Sequence, residues 1–289
     1  MNTVEGQKIG FVGLGNIGKP MAIQLVKKGF DLTVFDIIPQ PVEELRMLGA
    51  KVGASPKELA QASDFIITMV VDAAQTEGVV FGEEGLWDGL RAGTVLIAMS
   101  TLTPQYVREL AQRASKKGVA VLDAAVSGFA ARAEKGTLSI MVGGDEKIFE
   151  KCIPVFEGMG KNIFYAGGIG SGQVIKLVNN MLFQINQLGT LEGLRLGVKA
   201  GVDLDRLVEA LKVSTGRSFI VEDWGFIKSQ LAHYTMRGPS RLQKDQKLAL
   251  ELAKDLNIEM PVLTLVSELI SRGRLTEELA SLVEVETSR

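Results

Sequence analysis

The stretch Lys8-Ile9-Gly10-Phe11-Val12-Gly13-Leu14-Gly15-Asn16-Ile17-Gly18 constrains the fold more than any other part of the chain. A short apolar run ends in glycines spaced G-x-G-x-x-G, and Met21, Ala22, Leu25 and Val26 then recur at helical spacing. Strand, glycine turn and helix in that order open a βαβ unit. Gly13 suits the tight turn, Gly15 lets the backbone approach a pyrophosphate, and Gly18 lets helix and strand pack closely. The helix N-terminus faces the negative charge, and Leu14, Asn16 and Ile17 complete the cofactor-binding turn.

Asp31–Phe35 reads as a second strand, and Asp36 stands at its end, 18 residues past Gly18. A carboxylate at that spacing accepts hydrogen bonds from both ribose hydroxyls and repels a 2′-phosphate. No Arg or Lys occurs in Ile37-Ile38-Pro39-Gln40. NAD is therefore favoured, with NADP as the other cofactor to consider. The competing reading makes Asp36 a strand-end cap.

Asp64–Val71 and Thr94–Met99 are continuous apolar runs between helical segments, as buried parallel strands are. Ligands of such sheets sit beyond the carboxyl ends of the strands. That rule brings Val70, Val71 and Thr101 to the cofactor. Ser100, Thr101 or Thr103 could instead cap the helix that starts at Pro104. A further strand, Val119–Leu122, leads into Asp123-Ala124-Ala125-Val126-Ser127-Gly128-Phe129, and Gly136–Gly144 supplies another. Ser127 and Gly128 then lie where a loop leaves the sheet; a hydroxyl and a glycine amide suit a carboxylate, or they form a polar turn.

After Phe164-Tyr165-Ala166 the strand patterns stop, and helices are expected at 171–200, 203–213, 217–231, 238–256, 260–271 and 276–284. The expected fold is an α/β Rossmann-like domain over residues 1–167 and an all-α domain over 168–289, joined by the long helix at about 171–200. Ile175, Leu177, Val178, Met181, Leu182, Ile185 and Leu188 give that helix a broad apolar surface. Gln173, Lys176, Asn180, Gln184 and Gln187 form a polar stripe at steps of three and four. Such a stripe is either a solvated face or, just after the glycine run Gly168-Ile169-Gly170-Ser171-Gly172, the wall of a pocket.

Composition narrows the chemistry. With a net charge of −2 and no cluster of Lys and Arg, neither nucleic acid nor an anionic membrane is an expected partner. The chain has no spanning-length apolar run and no basic secretory leader, so a cytoplasmic protein is expected. The single cysteine, Cys152, precludes an intrachain disulfide and a cysteine-based zinc cluster, and no metal is expected. The single histidine, His233, leaves few options for a histidine base.

Four blocks in order resemble the β-hydroxyacid dehydrogenase family, of the 3-hydroxyisobutyrate dehydrogenase and tartronate semialdehyde reductase type. They are the glycine turn with Lys19-Pro20-Met21-Ala22, Asp123 to Gly128 with Gly136 to Gly144, Gly170 to Asn180, and Lys244-Asp245 with Leu248-Ala249. The resemblance implies hydride transfer between a nicotinamide cofactor and a small 3-hydroxy acid or its semialdehyde. Lys176 would be the acid/base, Asn180 would orient the substrate hydroxyl, and Ser127 with Gly128 would bind the substrate carboxylate. Thr101 would touch the cofactor, Lys244 would reach the cofactor and substrate region with Asp245 supporting it, and the helical part would assemble homodimers or homotetramers.

Two departures stand out. Phe129 takes the place of the second glycine in the family's Asp-Ala-Pro-Val-Ser-Gly-Gly, and Tyr234–Pro239 replaces a Phe-Thr-Pro-Gly-Phe-like stretch, so Arg237 or Arg241 could meet a second acidic group. Rival readings are a reductase of an atypical carbonyl, an imine or iminium reductase, which would usually lack Lys176, a decarboxylating enzyme of the 6-phosphogluconate type, normally much longer, and a non-catalytic cofactor-binding protein, which should have lost Lys176 or Asn180.

Overall fold

The computed structural model describes residues 6–229 and 240–274. His233, the Tyr234–Pro239 segment with Arg237, the Arg241 side chain and the helix expected at 276–284 lie outside the described residues. The chain divides into two compact units, Met1–Lys176 and Leu177–Arg289.

The first unit is built on one eight-stranded sheet. Its strands are β1 (Lys8–Val12), β2 (Asp31–Phe35), β3 (Lys51–Val52), β4 (Phe65–Thr68), β5 (Val95–Ala98), β6 (Ala120–Ser127), β7 (Leu138–Gly143) and β8 (Gly160–Gly167). They lie in the order 3-2-1-4-5-6-7-8, with every neighbouring pair parallel except β6 and β7. The order reverses between β1 and β4, the place where doubly wound sheets open a ligand crevice.

Helices α1 (Gly18–Lys27), α2 (Pro39–Met47), α3 (Pro56–Gln61), α4 (Ala73–Phe81), α5 (Leu86–Gly89), α6 (Pro104–Ser115), α7 (Phe129–Glu134) and α8 (Glu146–Met159) intervene. The sheet is apolar on both faces because alternate residues serve opposite cores. Phe11, Phe65, Ile67 and Ile97 pack on one side with Met21, Leu25 and Phe156. Val12, Ile66, Leu96 and Ala98 pack on the other with Leu59, Val107 and Leu110. Each such aliphatic or aromatic side chain contributes about 1.5–3 kcal/mol through burial.

The strand expected at Val119–Leu122 continues to Ser127. Its pairing with β5 ends at Ala98–Asp123, and beyond that point β7 returns antiparallel, from Asp123–Gly143 to Ser127–Ser139. β6 therefore projects past the carboxyl edge of the parallel strands. Asp123 and Ser127 interrupt its apolar run, which is why it reads as a loop in sequence.

Helix α9 (Ser171–Lys199) follows. In the second unit α10 (Leu204–Lys212), α11 (Phe219–Glu222), helical residues 224–229, α12 (Ser240–Asp255) and α13 (Pro261–Ser271) continue the chain. Leu188, Leu191, Leu194 and Val198 recur along α9 and bury against Leu204, Val208, Ile220, Trp224 and Ile270. The helix expected at 217–231 is interrupted at Asp223, whose φ of −118° and ψ of 45° end α11. Among the described residues no helix is long and apolar enough to cross a membrane.

Candidate active site

The three glycines of the first turn divide the labour that their spacing suggests. Gly13 has φ +97°, and a Cβ there would lie 2.5 Å from the Met69 carbonyl oxygen. A Cβ on Gly18 would strike the Gly13 carbonyl oxygen, whereas Gly15 faces open space with nothing within 4 Å. The turn is thus tight behind and open in front, which is what a pyrophosphate approaching the backbone requires.

Asp36 serves this turn directly. Its carboxylate accepts the Leu14 N–H at 2.6 Å and the Ile38 N–H at 2.8 Å. The capping and ribose-binding readings are compatible, because each carboxylate oxygen keeps a second acceptor site. The Leu14 N–H is engaged by Asp36, and its side chain is buried. A cavity of about 390 Å³ adjoins, lined by Asp36, Ile37, Pro39, Val42, Glu43, Arg46 and Val52. Arg46 is held there by Glu43 through two bonds of 2.7 Å. The turn and this cavity together fit a nicotinamide dinucleotide: amides for its phosphates, a carboxylate for its ribose, and apolar walls for its base.

At the carboxyl ends of β4 and β5 the three candidate hydroxyls have different tasks. Thr103 caps α6 by accepting the Tyr106 N–H at 3.1 Å. Ser100, almost fully buried, accepts the Val70 N–H at 3.0 Å and donates to the Val70 carbonyl at 2.8 Å, tying the two strand ends together. Thr101 lies half-buried between them. Val71 beside them is 56 % exposed, and its N–H donates to Gln75 Oε1 at 3.1 Å.

Two residues to which the sequence assigned no role of their own hold the start of α9. Asp123 is wholly buried, and its carboxylate accepts the Gly170 N–H at 2.6 Å and the Gln173 N–H at 2.8 Å. It thereby satisfies orphan amides at the helix N-terminus, where negative charge is also favoured. Burial still raises the Asp123 carboxyl above its ordinary value, against the lowering effect of those amides. Gly172 and Gly143 leave the room it needs, since a Cβ on either would crowd its oxygens.

Gln173, also fully buried, accepts the Leu102 N–H at 2.9 Å and donates to the Ser100 carbonyl at 2.9 Å. The signals available in sequence were an acid beginning an otherwise uncharged run and a glutamine at the start of the polar stripe.

Lys176 follows Gln173 by three residues, so it shares the side of α9 that Gln173 sets against the Ser100–Leu102 loop. Asn180 comes one turn later. Its Nδ2 donates to Asp245 at 2.6 Å, and its Oδ1 accepts from Asn179 at 3.0 Å. Asp245, expected to support Lys244, accepts from the Asn180 amide. The stripe is not the solvated face that its polarity allowed: Gln173, Gln184 and Gln187 are at most 2 % exposed.

Ser127 closes β6, and Gly128 and Phe129 follow with φ of +135° and +59°. Two successive left-handed residues turn the chain sharply into α7. Phe129 does this without glycine's freedom, at a cost of about 1–2 kcal/mol. Gly128, Ser127 and Thr101 all belong to the carboxyl edge of the sheet, on the same edge as the glycine turn.

Among the described residues no cluster of His, Cys, Asp and Glu could hold a metal ion. Cys152 is buried, and burial pushes its thiol up to about 12, far from a reactive thiolate.

Two family models match successive parts of the chain: the NAD binding domain of 6-phosphogluconate dehydrogenase over residues 8–167, and the NAD-binding domain of NADP-dependent 3-hydroxyisobutyrate dehydrogenase over residues 170–280. The chain is 36% identical to 2-(hydroxymethyl)glutarate dehydrogenase of Eubacterium barkeri, over 96% of its own length and 94% of the relative's. It is 38% identical to 3-hydroxyisobutyrate dehydrogenase of Pseudomonas aeruginosa, over 91% of each chain. The solved Mycobacterium tuberculosis 3-hydroxyisobutyrate dehydrogenase with L-serine superposes with a TM-score of 0.83 at 26% identity, covering 96% of this chain and 99% of that one.

Proposed function

The chain belongs to the β-hydroxyacid dehydrogenase family, and from that premise we propose that it interconverts a small 3-hydroxy acid and its semialdehyde with Lys176 as the general acid/base. It is an oxidoreductase of CH–OH donors that uses NAD or NADP. The nicotinamide, when bound, takes or gives the hydride. In oxidation Lys176 Nζ receives the hydroxyl proton; in reduction it returns a proton to the oxygen that was the carbonyl. Asn180 donates its second Nδ2 hydrogen to that same oxygen, with the first engaged by Asp245. Ser127 Oγ and the Gly128 N–H hold the substrate carboxylate, and the family motif assigns Lys244 of α12 to the cofactor.

The observation that carries this reading is the burial of Gln173 between α9 and the Ser100–Leu102 loop. It sets the Lys176 side of the helix toward the strand ends where Thr101, Val70 and Val71 would line the cofactor. Residues 13–18 and Asp36 would bind its dinucleotide part, NAD in preference to NADP, because the Asp36 carboxylate opposes a 2′-phosphate and Arg46 is neutralised by Glu43. Residues 1–167 act as the dinucleotide-binding domain and 168–289 as the helical substrate and oligomerisation domain of a cytoplasmic homodimer or homotetramer.

The test is cofactor turnover with NAD and with NADP over a panel of 3-hydroxy acids and their semialdehydes. Turnover of the acids with a preference for NAD is expected. Exclusive use of NADP would remove the role given to Asp36, and activity confined to uncharged alcohols would remove that of Ser127 and Gly128.

A further inference from the structure

The geometry points to Arg132 as the counter-charge of the substrate carboxylate. This rests on the reading of Ser127 and Gly128 as the carboxylate site and adds to it a residue outside the family motif. Residues 124–131 are all uncharged, so Arg132 is the first charge after Asp123 and the first cation after the Ser127–Gly128 turn. Ser127 and Gly128 offer only neutral donors. A carboxylate drawn from water onto neutral donors alone loses more solvation than it regains, and a cation beside it restores the balance.

The side chain is placed for this. Arg132 stands four residues after Gly128, and helical side chains lean back toward the N-terminus. A Cβ built on Gly128 would meet Arg132 Cβ and Cδ at 2.8 Å each and Cγ at 3.2 Å. The aliphatic stem therefore lies over Gly128, and the guanidinium comes next after Cδ. The backbone beneath is fixed: the Arg132 N–H donates to the Gly128 carbonyl at 3.3 Å, and the Thr137 N–H donates to the Arg132 carbonyl at 2.9 Å. At the far end of α7, Gln24 Nε2 donates to the Glu134 carbonyl at 2.5 Å, pinning the helix to α1. Arg132 is solvent-exposed. The absence of a side chain at Gly128 has a second use here: it gives the arginine stem its seat.

The test compares wild type with Arg132→Met, which keeps the stem and removes the charge, and with Arg132→Lys, which restores a point charge. Binding of 3-hydroxypropionate and of its methyl ester to the NADH-loaded protein is measured by calorimetry, alongside KM and kcat. For Arg132→Met the acid should bind about ten- to a hundredfold more weakly, the loss expected for a hydrogen bond to a charged group, with the ester and NADH unaffected. Arg132→Lys should recover part of the loss. Equal binding of the acid by wild type and Arg132→Met, or an equal loss for acid and ester, overturns the proposal. Failure of wild type to bind the acid overturns it together with the carboxylate site. Arg132-dependent binding without turnover supports it while sinking the proposed reaction.

Discussion

The Gln173 side chain donates to the Ser100 carbonyl at 2.9 Å while Ser100 Oγ bonds both the N–H and the carbonyl of Val70. One buried amide thus connects the ends of β4 and β5, where a cofactor would lie, to the helix that carries Lys176. Replacing Gln173 by Leu leaves the Leu102 N–H and the Ser100 carbonyl without partners in the core, each costing about 1–3 kcal/mol. Denaturant unfolding of Gln173→Leu should show a loss of that order, and kcat should fall more than the KM for NAD rises. A stable variant with normal kcat would mean that the link does not position the helix.

Asp123→Asn keeps the shape of the buried group but turns an NH2 toward an amide that needs an acceptor. It should destabilise the protein by about 1–3 kcal/mol at neutral pH. The pH dependence has a definite sign. Burial raises the folded-state pKa of Asp123 above its unfolded value, so the associated stability is full below the unfolded value and lost as pH rises through the folded one. Wild type carries that cost at neutral pH and is relieved of it in acid, whereas Asn does not titrate. The deficit of Asp123→Asn should therefore be larger at about pH 4 than at about pH 7 when unfolding midpoints are compared. A deficit that shrinks in acid would contradict the burial argument.

Phe129→Gly removes a ring from beside the carboxylate loop and also removes the strain of a left-handed φ. The strain, about 1–2 kcal/mol, offsets much of the lost packing, so thermal unfolding should shift little compared with other Phe→Gly changes in this chain. Activity should extend to acids that are bulkier next to the carboxylate. Unchanged relative kcat/KM across such a series would show that the ring does not border the substrate.

The sequence made much of this legible because strong local signals agreed with the tertiary structure. The glycine turn, the apolar strands and the expected helix at 203–213, observed as Leu204–Lys212 behind its Asp203 cap, needed no long-range information. What escaped were features decided by distant partners. β3, Lys51–Val52, is a two-residue exposed edge strand with no hydrophobic pattern to announce it. The extension of β6 exists because β7 returns beside it. Gln173 could be buried because Ser100 and Leu102, 73 and 71 residues away, answer both ends of its amide. Periodicity identifies a polar face but not what packs against it, so a buried, fully bonded glutamine and a solvated one look alike in sequence. The roles of Lys176 and Asn180 came from the family motif; the polar stripe alone left them open.

Proton transfer by Lys176 is read from single-turnover hydride transfer from a 3-hydroxy acid to NAD in Lys176→Ala, with NADH binding measured by fluorescence on the same preparation. The rate should fall by about 10²–10⁴, the usual contribution of general acid/base catalysis, with NADH affinity unchanged. A hydride-transfer rate close to wild type, with the variant folded and binding NADH normally, would rule out Lys176 as the acid/base.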